Sequence, residues 1–184
     1  MRHRPIVAIV ALTLGALAGA VADENERPRD GNAEPQWREI AWPYPRDGWP
    51  AGRAFRCAKA ACGDDTEVYV RPKLGFCNCD TGVADDDEVD RVADIDLISA
   101  RFAAREPGRV IRIADMPGRL RSYDLAMPDG GRHMAIGIAV AHRCDLLVAV
   151  AQGTADAPQV VRAALELLDR ADMRRWMASA MGGR

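Results

Sequence analysis

The residues with the most chemistry in this sequence are its cysteines. Five occur, spaced as C-x4-C, then fourteen residues, then C-x-C, with a fifth far downstream. They are Cys57, Cys62, Cys77, Cys79 and Cys144. Paired thiols can form disulfides, hold a soft metal ion or exchange disulfides with a partner, so these five are the first site candidates.

Structural disulfides are the favoured interpretation of the five cysteines. A bond between Cys77 and Cys79 would close a very small ring in poor geometry. We therefore expect Cys57 and Cys62 each to bond to one member of the Cys77/Cys79 pair, which leaves Cys144 free or bonded to another subunit. The alternative is a local Cys57–Cys62 bond, with Cys144 reaching Cys77 or Cys79. In the chain-entropy picture each bond adds roughly 3 kcal/mol of stability.

A metal centre is the second interpretation, because zinc and Cu(I) accept thiolates. The candidate ligands are Cys57, Cys62, Cys77 and Cys79. Their spacing differs from a zinc ribbon, which carries C-x2-C twice, and the imidazoles of His133 and His142 lie far along the sequence. Thiol–disulfide exchange is the third interpretation, although C-x-x-C is absent. C-x-x-C-H is absent too, which excludes ordinary haem attachment, and we predict no cofactor.

An acidic run follows the C-x-C pair. Six carboxylates lie within eleven residues, and two more extend the run. They are Asp80, Asp85, Asp86, Asp87, Glu88 and Asp90, followed by Asp94 and Asp96. Calcium favours such oxygen-rich clusters, and we keep Asp85, Asp86, Asp87 and Glu88 as candidate metal ligands. The EF-hand order is missing, however, so the favoured interpretation is the acidic first turn of a solvated helix over 85–92.

A nucleophile is conceivable at His142-Arg143-Cys144-Asp145, with His142 activating Cys144. The favoured interpretation is a turn that carries a half-buried cysteine. The sequence contains no G-x-S-x-G, no Gly-rich phosphate loop and no H-E-x-x-H. Ser99, Ser122 and Ser179 lie in no catalytic context, so we predict no catalytic residue.

The first 22 residues have the pattern of a secretory signal peptide. A basic start is followed by an apolar run, Ile6 to Ala20, and by Ala20-Val21-Ala22, the small-x-small pattern of a cleavage site. The apolar run is shorter than the roughly 20 residues that a bilayer span needs, which disfavours the alternative of a retained anchor. We therefore expect a periplasmic or secreted bacterial protein with no membrane span after cleavage.

Composition describes one ordinary folded domain. The 184 residues include 48% hydrophobic and 28% charged ones, with a net charge of -2. Without Arg2 and Arg4, 23 basic residues remain of the 25 against 27 acidic ones, a net charge of -4. Such a balance argues against nucleic acid as a partner. The 10 aromatic residues (4 Trp, 3 Tyr and 3 Phe) are too few to favour a base-stacking or carbohydrate-stacking surface.

The mature chain divides into a charged tail and one domain. Residues 23–40 are predicted to be flexible, and residues 41–181 to form a single domain. The domain begins with a proline- and tryptophan-rich segment, residues 42–50, which we call the strap. We expect its rings to cover one edge of the core, the alternative being a docking segment for a proline-reading partner.

The remaining patterns predict strands and a final helix. A strand is expected at 67–71, and two more at 109–114 and 119–125 around a turn at Met116-Pro117-Gly118. The apolar runs 134–141 and 146–151 predict a hairpin of central strands covered on both faces. An apolar stripe over 159–177, capped by Thr154 or Asp156, predicts a helix. The fold class is α+β: an antiparallel sheet packed against one long C-terminal helix, with a disulfide-stapled N-terminal strand region.

The cysteine pattern resembles that of a group of small exported proteobacterial proteins without an assigned activity. The likeness lies in Phe55-Arg56-Cys57, Cys62-Gly63 and Phe76-Cys77-Asn78-Cys79, with the acidic run behind them. The resemblance implies export and a compact domain stapled by cysteines. It supplies no catalytic residues.

These patterns favour an exported, non-enzymatic accessory or binding module stabilised by disulfides. Its partner would be a protein or a small molecule in the periplasm, and neither nucleic acid nor membrane. The alternatives are a periplasmic carrier of copper or zinc and a thiol–disulfide exchange protein.

Overall fold

The structure, a computed structural model, describes residues 36–45, 47–62, 65–153 and 156–182. It confirms the α+β class, an antiparallel sheet with helices at the C-terminal end. The predicted signal peptide, residues 1–22, lies outside the described residues, as does the predicted tail up to residue 35.

Within that part of the chain, eight strands form one sheet in which every pairing is antiparallel. The strands are β1 (Trp37–Ile40), β2 (Arg53–Cys57), β3 (Glu67–Lys73), β4 (Phe102–Ala104), β5 (Arg109–Ile113), β6 (Met116–Ala126), β7 (Arg132–His142) and β8 (Asp145–Gly153). Their order is β1-β2-β3-β8-β7-β6-β4, and β5 also pairs with β6. Because β3 pairs with β8, the N-terminal strands join the sheet through its C-terminal hairpin.

The two apolar runs predicted as central strands are β7 and β8, and both faces of this hairpin are covered. Alternate side chains enter two separate cores: Ile136 and Ile138 face the C-terminal helices, whereas Ala135 and Ala139 face the opposite layer. Nearly continuous apolar sequence is expected for a strand buried on both sides. The hairpin is therefore the rigid frame on which the candidate sites are built.

The helices are α1 (Lys59–Cys62), α2 (Asp86–Val92), α3 (Ala157–Asp169) and α4 (Ala171–Gly182), with a 3-10 turn at Ile95–Leu97. The Asp156 carboxylate caps α3 by accepting from the Gln159 N–H. The predicted long C-terminal helix is divided at Arg170, which has extended backbone. At about 100° per residue, Met173 would lie about 180° around a continuous helix from buried Ala164. The break turns the methionines of α4 onto the sheet.

The predicted tail, residues 23–40, differs from the structure at its end. Its last four residues form β1, which pairs with β2 at the edge of the sheet. Trp37 is buried in the core, while Glu39 reaches Arg53 at 2.6 Å. A four-residue edge strand with a single fully buried side chain leaves almost no periodic signal in a charged segment. The ordered sheet therefore begins at Trp37.

The turn before β6 lies earlier than Met116-Pro117-Gly118. It is formed by Ala114 and Asp115, both with positive φ, and β6 already includes the three predicted turn residues. Positive φ at both central residues suits the twist of a two-residue hairpin. Gly118 instead serves close packing, since a Cβ there would lie 2.1 Å from a backbone oxygen of β7. Pro117 and Gly118 therefore lie within β6, where the missing side chain of Gly118 allows close packing against β7.

Candidate functional site

The structure forms two disulfides, Cys57–Cys62 and Cys79–Cys144, and leaves Cys77 as a free thiol. The preferred pairing between the two early cysteine pairs is therefore wrong, and the alternative pairing is confirmed. Cys57 ends β2 and Cys62 ends α1, so one tight turn brings their Cα atoms to 6.1 Å.

The second disulfide depends on a long-range pairing. Lys73, the last residue of β3, lies opposite Leu146 on β8. The segment after β3 consequently runs beside the turn between β7 and β8, where the Gly75 N–H donates to Asp145 at 2.6 Å. In that position Cys79 reaches Cys144, with a Cα separation of 4.3 Å.

These bonds contradict the metal centre formed by the early cysteines. Three of its four candidate ligands, Cys57, Cys62 and Cys79, have no thiolate to offer, because their sulfurs are in disulfides. Across the described ranges, no group of three or more His, Cys, Asp or Glu residues could hold a metal ion. The activated nucleophile is contradicted as well, since Cys144 is disulfide-bonded and His142 is exposed at the end of β7.

The acidic run forms a helix start, as the favoured interpretation predicted. Asp85 caps α2 by accepting from the Glu88 N–H at 2.9 Å. Asp86 accepts from the Gly108 N–H at 2.8 Å and from Arg119 at 2.6 Å, and these contacts lower its pKa. Asp87 in the same turn is exposed. Asp86 thus joins α2 to the sheet, whereas Glu88 pairs with Arg91 of the same helix, so these carboxylates are not gathered around a common point.

The strap covers one edge of the core, and this prediction is confirmed. Trp42 and Tyr44 pack edge-on against Tyr69 of β3, with ring centroids 6.1 and 4.9 Å away. Trp49 packs against Phe76 at 5.1 Å. The strap therefore covers the β3 side of the sheet face opposite α3 and α4.

Beneath the strap lies a cluster of ionised side chains that the sequence analysis missed. Arg71 and Lys73, on one face of β3, are 2% and 6% exposed. Asp94 accepts from Arg71 at 2.7 and 2.9 Å and from Lys73 at 2.6 Å. Asp47 of the strap accepts twice from Arg71, at 2.7 and 2.8 Å. The cluster joins the strap, the sheet and the turn after α2.

The sequence of β3 contains a signal for this cluster, but the signal is ambiguous. Tyr69, Arg71 and Lys73 alternate along β3, which places them on one face. The strand was expected to end at Arg71, before Pro72, but it pairs with β8 as far as Lys73, whereas β2 pairs with β3 only as far as Val70. Among the described residues, no strand pairs with Pro72 on the β2 side. Its missing N–H group therefore breaks no hydrogen bond between β2 and β3.

The strap is expected to loosen at low pH. The Arg71 hydrogen bond is the main cause that lowers the pKa of Asp47 from 3.8 to about 2. Since the folded pKa lies below the usual one, the contribution of Asp47 is complete above 3.8 and is lost as the pH falls toward 2. Tryptophan fluorescence followed from neutral to acid pH measures this change. The Asp47→Asn variant should already be loosened at neutral pH and lack this transition, and identical profiles for both proteins would contradict the assignment.

An apolar cleft of about 610 Å³ lies between α3 and the outer part of the sheet. Its floor is formed by Leu120, Val161 and Leu165. The cleft opens where β4 and β5 pair with separate parts of β6, which leaves Arg121 and Ser122 without a strand partner on that side. Its volume is in the range of small-molecule sites, roughly 300–1,000 Å³.

Charged side chains surround this cleft. Arg109 contributes from β5 and Arg162 from α3, and Glu106 and Glu166 also line it. The Ser122 hydroxyl lies 3.4 Å from a carboxylate oxygen of Glu106. In the described part of the chain, the guanidinium groups of Arg109 and Arg162 make no side-chain hydrogen bond or ion pair, although both residues belong to regular elements through their backbones. Two uncommitted guanidinium groups, one from the sheet and one from the helix, suit a ligand with an apolar body and an anionic group.

No pattern in the sequence indicates this cleft. Its lining comes from the segment before β5, the first residue of β5, the middle of β6 and α3 as far as Glu166. No local spacing marks such a site, because its parts meet only when α3 lies on the sheet. Across the part of the chain that the structure covers, no helix has the length and hydropathy of a membrane span.

Comparisons with known proteins give no family for this chain. No protein-family model and no curated protein matches it. Among solved structures, a Pseudomonas aeruginosa protein of unknown function, PA94, is 15% identical with a TM-score of 0.37, and the match covers 76% of this chain and 84% of that one. Cyanobacterial PsbP from Synechocystis sp. PCC 6803 is 13% identical with a TM-score of 0.42, covering 80% and 82%. At these values neither likeness assigns a function.

Proposed function

We propose that this protein is a non-enzymatic binding module of an oxidising, extracytoplasmic compartment. The ligand we assign to it is a small apolar molecule that carries a carboxylate or a similar anion. The observation that carries the proposal is the cleft between α3 and the β5–β6 edge, with its apolar floor and the free guanidinium groups of Arg109 and Arg162.

Three further observations support export. Two disulfides persist in oxidising compartments and are rare in the cytosol. Residues 1–22 have the pattern of a signal peptide. The cysteine pattern around Cys57 and Cys77 resembles that of small exported proteobacterial proteins.

The cleft chemistry specifies the ligand class. An apolar body would pack against Leu120, Val161 and Leu165, where removal of apolar surface from water is worth about 25 cal/mol per Å². The arginines then select for an anionic group, since hydrogen bonds between charged partners are roughly twice as strong as neutral ones. Glu166, one helical turn from Arg162, disfavours a ligand with a second negative charge.

Fluorescence titration with 8-anilinonaphthalene-1-sulfonate, an apolar anion, tests this site. We expect binding to the full chain, competition by a medium-chain fatty acid, and loss of binding in Leu165→Trp, because the larger ring fills the cleft. Arg162→Gln should weaken binding about fivefold to tenfold. The mass of the protein recovered from the periplasm tests export, which requires loss of residues 1–22.

The matched control is Val110→Trp. Val110 lies on β5 but is 73% exposed and does not line the cleft. This variant adds the same ring and should bind the probe as the unmodified protein does. If Leu165→Trp and Val110→Trp bind the probe equally well, the cleft is not the site.

A further inference from the structure

Three cysteines meet where the segment after β3 passes the turn between β7 and β8. Cys79 is bonded to Cys144, and Cys77 keeps a free thiol. The Cys77 N–H donates to the Cys144 carbonyl oxygen at 3.1 Å. The free thiol is therefore carried by a direct backbone neighbour of a disulfide-bonded residue.

This backbone contact brings Cys77 within bonding range of Cys144. With ordinary N–Cα, Cα–C and C=O bond lengths, this single bond of 3.1 Å keeps the two Cα atoms within about 7 Å of one another. Disulfides span about 4.4–6.8 Å between Cα atoms. Cys144 thus has two partners within reach, two residues apart on the same segment, and the structure records the bond to Cys79.

The two partners differ in their surroundings. Cys77 is half-buried and packs against the core on the strap side, whereas Cys79 is exposed. Burial raises the pKa of the Cys77 thiol, the Glu88 carboxylate raises it further, and the Arg91 guanidinium partly opposes this. The free thiol in the recorded arrangement is consequently the more protected of the two.

We propose that Cys77, Cys79 and Cys144 form a thiol–disulfide exchange site in which Cys144 alternates between the other two. The Cys77 thiol loses its proton to solvent and its sulfur attacks Sγ of Cys144. The Cys79–Cys144 bond breaks as the Cys77–Cys144 bond forms, and the Cys79 thiolate leaves and takes up a proton. One disulfide is exchanged for another, so no oxidant or reductant is consumed.

The consequence of exchange is an exposed thiol. The free sulfhydryl moves from half-buried Cys77 to Cys79 at the surface, where it can attack the disulfide of another molecule. Cys57–Cys62 takes no part, because both of its cysteines lie in the core on the opposite face of the sheet. The site therefore has one free thiol at a time, which is on Cys77 before exchange and on Cys79 after it.

Alkylation of the native full-length protein with iodoacetamide tests this exchange. Samples taken over time are quenched with acid and digested without reduction, and the labelled cysteine and the remaining disulfides are identified by mass spectrometry. We expect label on Cys77 at first and a growing share on Cys79, in molecules that contain a Cys77–Cys144 bond. Cys57–Cys62 should stay intact throughout.

The Cys77→Ser variant is the matched control. It retains the Cys79–Cys144 bond but lacks the attacking thiol, so labelling of Cys79 should be lost completely. Label that remains confined to Cys77 in the unmodified protein would overturn the proposal. Label on Cys79 in Cys77→Ser would overturn it too, because the bond would then open without exchange.

Discussion

Replacing Asp94 with asparagine is expected to lower the free energy of unfolding by about 3–5 kcal/mol. Asp94 accepts hydrogen bonds from both buried cations, Arg71 and Lys73. Without the Asp94 charge, Lys73 retains the Val92 carbonyl oxygen but no carboxylate, and Arg71 retains Asp47, whose side chain is 33% exposed. A buried cation that loses its counterion still carries the free-energy cost of desolvation. It no longer has the electrostatic attraction that offset this cost.

Asparagine isolates the effect of charge at this position. Asp94 has φ of 60°, a left-handed conformation that asparagine also tolerates. The substitution therefore keeps the size and the backbone conformation while it removes the negative charge. An alanine variant would mix loss of charge with backbone strain.

Urea unfolding at neutral pH measures the change, and Asp96→Asn is the control. Asp96 lies in the neighbouring 3-10 turn and is exposed. The same chemical change there should stay within about 0.5 kcal/mol. A loss below about 1 kcal/mol for Asp94→Asn would mean that the cluster is not an energetic link between strap and sheet.

Replacing Cys144 with serine is expected to cost about 4 kcal/mol of stability. Its disulfide spans a sequence separation of 65 residues, and the chain-entropy estimate for such a loop is about 4 kcal/mol. Serine at 144 removes the bond whichever cysteine it involves. The loss is a large part of the total stability of a typical domain, about 5–15 kcal/mol.

The Cys62→Ser variant provides the comparison. The Cys57–Cys62 bond spans a separation of 5 residues, for which the same relation gives about 2 kcal/mol. Unfolding midpoints of the two variants in urea, measured without reductant, should therefore rank Cys144→Ser as the less stable. The opposite ranking would show that the long bond constrains the unfolded chain less than its length implies.

Features set by local sequence could be predicted. The β7–β8 hairpin follows from two apolar runs around a short polar turn, and α2 follows from an acidic first turn capped by Asp85. These signals depend on residues a few positions apart. Their physical causes, burial of apolar surface and satisfaction of helix-end N–H groups, act within the element itself.

Features that depend on the register of distant strands could not be predicted from the sequence. The pairing of Lys73 with Leu146 places Cys79 beside Cys144, and no spacing of cysteines contains that information. Asp94 also meets Arg71 only through tertiary packing, because it lies after α2 whereas Arg71 lies on β3. In the candidate cleft, likewise, Arg109 and Arg162 come from separate elements that meet only through tertiary packing.

The pairing of β3 with β8 also governs when the chain can fold. Glu67 and Gln152, opposite one another in that pairing, are 85 residues apart. Closing so long a loop is slow, because its entropy is lost before the contacts form. During synthesis, β1, β2 and β3 can pair with one another, but they cannot join the rest of the sheet until β8 has left the ribosome. The first half of the chain therefore emerges without the strand that completes its sheet, and an incompletely folded chain can be threaded through a narrow channel.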